Sequence, residues 1–157
     1  MSGFSPSDIA RALAQSTSIA DAQGNRSRLR FTHFEFERTQ TARCSARVEL
    51  EWVPGETVTG RADGMASPMG DLRVAAEAAI RAIEQFTGES ATFELLGVKA
   101  MRAFDASVVM VSVLATTNEG QRRLLGCHLC DEDPLRGAVI ATLQATNRLL
   151  GNAIATR

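Results

Sequence analysis

Between Leu29 and Gly60 apolar and polar residues alternate, with Phe34 and Phe36 in one run and Ala46, Val48, Leu50 and Trp52 in the next, charged residues lying between them. A period of two sends successive side chains to opposite faces, which predicts antiparallel strands with one face buried and one in water. Pro54-Gly55 suits the centre of a type II turn, Pro fixing the first φ and Gly accepting the positive second one, so Val58 starts a returning third strand. At Ser67-Pro68 the period lengthens to that of a helix: Leu72, Ala75, Ala76, Ala79, Ile80, Ile83 and Phe86 share a face that ends at Thr87-Gly88. Ser67 is the expected N-cap and Pro68 the first helical residue.

The order then repeats. Leu95 to Arg102 reads as a strand, Val108 to Ala115 as a second, Asn118-Glu119-Gly120 as a turn and Arg123 to Leu129 as a third, and Asp133-Pro134 opens a helix ending near Gly151. One constant, ungapped shift lays Gly60 on Gly126, Pro68 on Pro134, Ala75 on Ala141, Ala79 on Ala145 and Ile83 on Leu149, which points to an internal duplication. Neither half can bury both its sheet face and its helix alone. The predicted fold is therefore α+β, a tandem duplication of a β-β-β-α unit with antiparallel three-stranded sheets and helices packed between them. The units are residues 28–88 and 89–157, preceded by a helix and linker over residues 1–27, where Ser5-Pro6 starts a thin stripe of Ile9, Ala10, Leu13 and Ala14. Phe31, Phe34, Phe36 and Trp52 include both strand parities, so aromatic surface is expected outside the core. That surface, the N-terminal helix and the Ala-rich helix of Ala75, Ala76, Ala78, Ala79 and Ala82 are the expected contacts of a two-fold homodimer.

Composition narrows the partners. With 157 residues, 45% hydrophobic and 22% charged, the chain has the balance of one globular domain. Its 17 basic residues are scattered among 18 acidic ones for a net charge of -1, which leaves no field to hold a phosphate backbone. The lack of Tyr and the single Trp also leave few stacking platforms, so no nucleic acid is expected. Met1-Ser2-Gly3-Phe4-Ser5-Pro6 does not begin a leader, and no later run has the length of a membrane span. Cys44, Cys127 and Cys130 are an odd set without framework spacing, so free thiols, a cytoplasmic location and no membrane contact are expected.

The duplicated unit, whose third strand runs into a Gly-containing loop and a Pro-started helix, resembles the C-terminal regulatory domain of 2-isopropylmalate and citramalate synthases, the leucine-responsive dimerisation domain of that family. The likeness covers roughly residues 29–151. It is carried by Val58-Thr59-Gly60-Arg61-Ala62-Asp63-Gly64 with Ser67-Pro68-Met69-Gly70-Asp71, and by Leu125-Gly126-Cys127-His128-Leu129 with Ala145-Thr146-Asn147-Arg148-Leu149-Leu150. The resemblance implies dimerisation and an effector amino or keto acid held between the units, near the loops before the helices. The synthase activity is not implied, because the family's barrel with its metal-binding histidines has no counterpart in this sequence.

Candidate chemistry is sparse. Cys127-His128-Leu129-Cys130 has the C-x-x-C spacing of a redox or half-zinc motif, but on a strand the two thiols face opposite sides and no second pair exists. His33 and His128 are the only histidines and neither has a nucleophile signature beside it. Asp131-Glu132-Asp133 fits a helix cap better than a cation site. No metal, cofactor or catalytic set is expected. A ligand is expected where Gly allows close backbone approach and helix N–H groups attract a carboxylate. Those positions are Gly60, Ala62, Gly64, Ser67, Pro68, Gly70, Gly126 and Asp133. The reading is a non-catalytic regulatory module that self-associates and binds a small carboxylic or amino acid or a protein partner. The alternatives are a scaffold subunit without a small ligand and a small enzyme using His33, His128 or Cys127.

Overall fold

The structure is a computed structural model that describes residues 29–53, 55–131, 133–150 and 154–155. The helix expected over residues 1–27 lies outside the described residues. Strands β1 (Leu29–Arg38), β2 (Arg43–Val53) and β3 (Glu56–Met65) precede helix α1 (Pro68–Thr87). Strands β4 (Ala91–Ala103), β5 (Ala106–Thr117) and β6 (Gly120–Leu129) precede helix α2 (Pro134–Asn147), and a short strand β7 (Ile154–Ala155) follows. The first sheet has the order β3-β2-β1-β7 and the second β4-β5-β6. All pairs are antiparallel except β7, which lies parallel to β1 with Leu29 opposite Ile154. The duplicated α+β arrangement expected from the sequence is the one observed.

The two helices form a layer between the inner faces of the sheets. Helix α1 lies on β2 and β3 of its own unit and reaches β4 of the other, and α2 lies on β5, β6 and α1. Burial on nearly every side explains why α1 is rich in Ala: Ala75, Ala76, Ala78, Ala79 and Ala82 are all inaccessible. The expected use of this Ala-rich helix as a contact between chains is thereby corrected, since its small face is spent inside the domain. One polar link ties each helix to the other unit. Arg73 Nη2 donates to the Leu95 carbonyl at 3.3 Å, and the Arg136 guanidinium stands 4.6 Å from the Phe31 ring centroid.

Glycine sets the distance of each helix from its sheet. A Cβ on Gly60 would lie 2.0 Å from the Ala78 carbonyl oxygen, and one on Gly126 would lie 1.9 Å from the Ala141 oxygen. Each glycine pairs with a fully buried valine of the central strand, Val48 or Val111. The glycines are equivalent, as the constant shift requires, but the helix register is not. Gly60 faces Ala78 and Ala82, whereas Gly126 faces Ala141 and Ala145, so α1 runs one turn further than α2 before reaching its glycine.

Three sequence expectations change. A bulge between Phe31 and His33 resets the alternation of β1, so Phe31, Phe34 and Phe36 all pair with inward residues, Leu50, Val48 and Ala46. The three therefore share one face and pack against the core, as Trp52 does, and all four aromatics stay partly exposed. Helix α2 ends at Asn147 rather than near Gly151, with the Leu149 and Leu150 N–H groups bonding back to the Thr146 carbonyl. Strand β7 was not expected, because two residues carry no period.

Candidate functional site

Strand β3 is an edge of the first sheet, so one side of its backbone has no strand to bond. Helix α1 supplies the missing partners from positions one turn apart. The Thr59 N–H donates to Gln85 Oε1 at 3.2 Å and Arg81 Nη1 donates to the Arg61 carbonyl at 2.7 Å. These bonds close one wall of a groove of about 880 Å³ lined by Thr57, Thr59, Arg61, Arg81, Glu84 and Gln85. Its floor is Gly60, where the missing side chain brings α1 down onto the strand. Arg61 and Arg81 also border a second hollow of about 380 Å³ that runs onto the outer face past Arg47 and Asp63.

The electrostatics of the groove are mixed. Among the described residues Arg47 is ion-paired with Glu35 at 3.3 Å and Arg43 with Asp63 at 2.7 Å, whereas Arg61 and Arg81 make no ion pair. Glu84 is the one carboxylate lining the larger groove, and burial raises its pKa above the usual carboxylate value, partly opposed by Arg81. Two guanidiniums and one carboxylate facing one space can hold a carboxylate ligand, with the remaining carboxylate placed for an ammonium group.

The helix starts are capped as the sequence predicts, and the caps use N–H groups that a ligand was also expected to meet. Ser67 caps α1 by accepting from the Gly70 N–H at 2.8 Å. Asp133 caps α2 by accepting from the Leu135 and Arg136 N–H groups at 3.1 and 3.2 Å. Pro68 lies at the start of α1, as expected. A Cβ on Gly70 would strike the Met65 carbonyl, and Gly64 stands against Val74. Gly64, Ser67, Pro68 and Gly70 are therefore gathered in the turn into α1, where packing and capping use them. Gly60 and Ala62 lie one on each of the two adjoining hollows. Gly126 and Asp133 belong to the other unit, Gly126 beneath α2, so the eight positions do not converge on one site.

Beside the first turn of α1 lies a buried ionic cluster. Asp71 is almost wholly buried and accepts through Oδ2 from both Arg38 Nε, at 3.0 Å, and Arg38 Nη2. Cys44 is next to it, with its pKa raised by burial first and by the Asp71 carboxylate second. In the second unit burial likewise raises the Cys130 pKa, with smaller contributions from Asp131 and Asp133. The exposed His33 bonds Glu35 at 2.8 Å on the first sheet, while His128 and Cys127 lie on β6 of the second. The three residues weighed for catalysis are therefore divided between the sheets.

Sequence reasoning missed Arg61, Arg81, Glu84 and Gln85. The spacing of Arg81 and Gln85 on the polar side of α1 was a visible signal, but only the packing of α1 over Gly60 brings them to β3. No family model and no curated protein matches the chain.

Proposed function

We propose that the chain is a non-catalytic module that binds a small carboxylic or amino acid in the groove between β3 and α1. The observation that carries this reading is the pair of guanidiniums, Arg61 and Arg81, that line the groove without a close ion pair among the described residues. A carboxylate bound there would gain charge-assisted hydrogen bonds at little cost in ordering, because Arg81 is already held by the Arg61 carbonyl. An amino acid would add an ammonium contact to Glu84. A regulatory role, with the ligand altering how the chain associates, and a cytoplasmic setting are parts of this proposal.

Thermal unfolding in the presence of succinate, L-glutamate and L-leucine, each titrated separately, tests it. The midpoint should climb with the concentration of at least one of them, and Arg81→Gln should abolish the climb. Flat midpoints for all three would overturn the reading.

A second reading, a structural partner subunit without a small ligand, is favoured by a different observation. The outer face of the second sheet has an apolar centre, with Leu125 and Leu129 largely exposed.

A further inference from the structure

We infer that the outer face of the β4-β5-β6 sheet is the surface on which two copies of this chain pair about a two-fold axis. The inference rests on the self-associating reading of the module and names the surface for it.

The register shows what that face carries. Met101, Val108 and Leu129 form one row across the sheet, Lys99, Met110 and Cys127 the next, and Ser112 with Leu125 the one after. Central strand β5 has no ionisable residue over its whole length, whereas Glu94, Lys99 and Arg123 stand on the flanking strands. An apolar centre with charge confined to the margins is the anatomy of a protein interface. The exposures agree: Leu125 is 64%, Leu129 63% and Met101 38% accessible. At the end of the sheet, Phe104 and Asp105 make the two-residue β4–β5 turn with φ of 54° and 60°. Asn or Gly normally fills such a turn, and a Phe there is strained. Phe104 is also 100% exposed, so among the described residues no contact repays the strain. A contact from outside would repay it.

Area selects the occupant. Three strands, with β5 running 12 residues, offer a flat footprint of about 14 by 40 Å, on the order of 550 Å² before side-chain relief. A stable interface takes roughly 600–1,000 Å² from each partner, so nearly the whole face has to be covered. The helix expected over residues 1–27 would bring only Ile9 and Leu13 as large stripe residues, too few to cover it. A second copy of the same sheet matches the face in both dimensions and in polarity, and a two-fold pair closes without leaving a further sticky face.

Light scattering on the eluting full-length chain, with native thiol titration alongside, tests this. The wild type should elute with the mass of two chains, and Leu125→Glu with Leu129→Glu should give one. Cys127 is exposed in the single chain, so its reaction with a thiol reagent should be at least about tenfold slower in the wild type than in that variant. A wild type with the mass of one chain overturns both self-association and this surface. A two-chain mass that survives the double substitution, with Cys127 still reacting rapidly, overturns the surface and leaves self-association standing. Circular dichroism matching the wild type shows that the variant is folded; should it unfold, Phe104→Asn, which relieves the turn, takes its place, and an unweakened dimer then overturns the surface.

Discussion

Across the outer face of the first sheet, Glu35, Arg47 and Arg61 stand in one row and Glu37, Ser45 and Asp63 in the next, whereas the second sheet places Met101, Val108 and Leu129 in one row there and Lys99, Met110 and Cys127 in another. Inside, the two sheets are alike, each holding a helix against a glycine that faces a buried valine. Packing therefore constrains the inner faces in common, because a helix seated on backbone tolerates no side chain beneath it. The outer faces are under no such demand. The first carries charged rows that continue to the groove at its β3 edge, the second an apolar centre with charge on its flanking strands. A duplicated fold can thus carry two unrelated surfaces, and the likeness of its halves says nothing about what either one touches.

The common interior is broken most strongly at the glycines. Gly60→Ala or Gly126→Ala puts a Cβ about 2 Å from a backbone carbonyl, and the helix has to move off its sheet. Each should cost about 3 kcal/mol or more in a denaturant melt. A tolerant Gly126 beside an intolerant Gly60 would show that the two cradles are not equivalent. Next in size is Arg38→Gln. It leaves the buried Asp71 carboxylate without its cation, and since Arg38 is itself more than half exposed the loss should be about 2 kcal/mol, read in the same melt.

Smaller effects separate the helix starts. Asp133→Ala should cost about 1 kcal/mol and Ser67→Ala a similar amount, because each removes the acceptor of a first-turn N–H. Alkaline pH acts on both units in the same direction. Cys44 and Cys130 have pKa values raised by burial, so the stability they contribute is complete below the unfolded thiol value of about 8.5 and is lost as pH rises through the higher folded values. Melts at increasing pH should fall in that window, and Cys44→Ala should flatten the fall. The smallest change is expected on the charged outer face. Arg47→Gln should cost less than about 1 kcal/mol, and added salt should shrink the difference further.

Much of this arrangement was legible in the sequence. The alternation of β2, the caps Ser67 and Asp133 and the glycines at Gly60 and Gly126 each obey a local rule, and the repeat spacing fixed their correspondence. The β1 bulge was not legible, since one extra residue at Thr32 reverses the facing of everything after it without any turn residue to announce it. The groove was half legible: Gly60 stood out, but Arg61, Arg81 and Gln85 become neighbours only through tertiary packing. The clearest overlooked signal is β5. Its Val108 to Ala115 stretch is apolar at every position but Ser112, a pattern typical of strands buried on both faces rather than of a half-exposed one.

The pairing of β7 with β1 has a consequence for synthesis. A ribosome releases the first unit long before the second, yet the Leu29–Arg30 edge of that first sheet bonds to Ile154 and Ala155 from the far end of the chain. Helix α1 likewise waits for β4 before its second side is covered. The leading half therefore emerges with an open edge and a bare helix flank, and its first strand is sealed only after the whole second unit has been made.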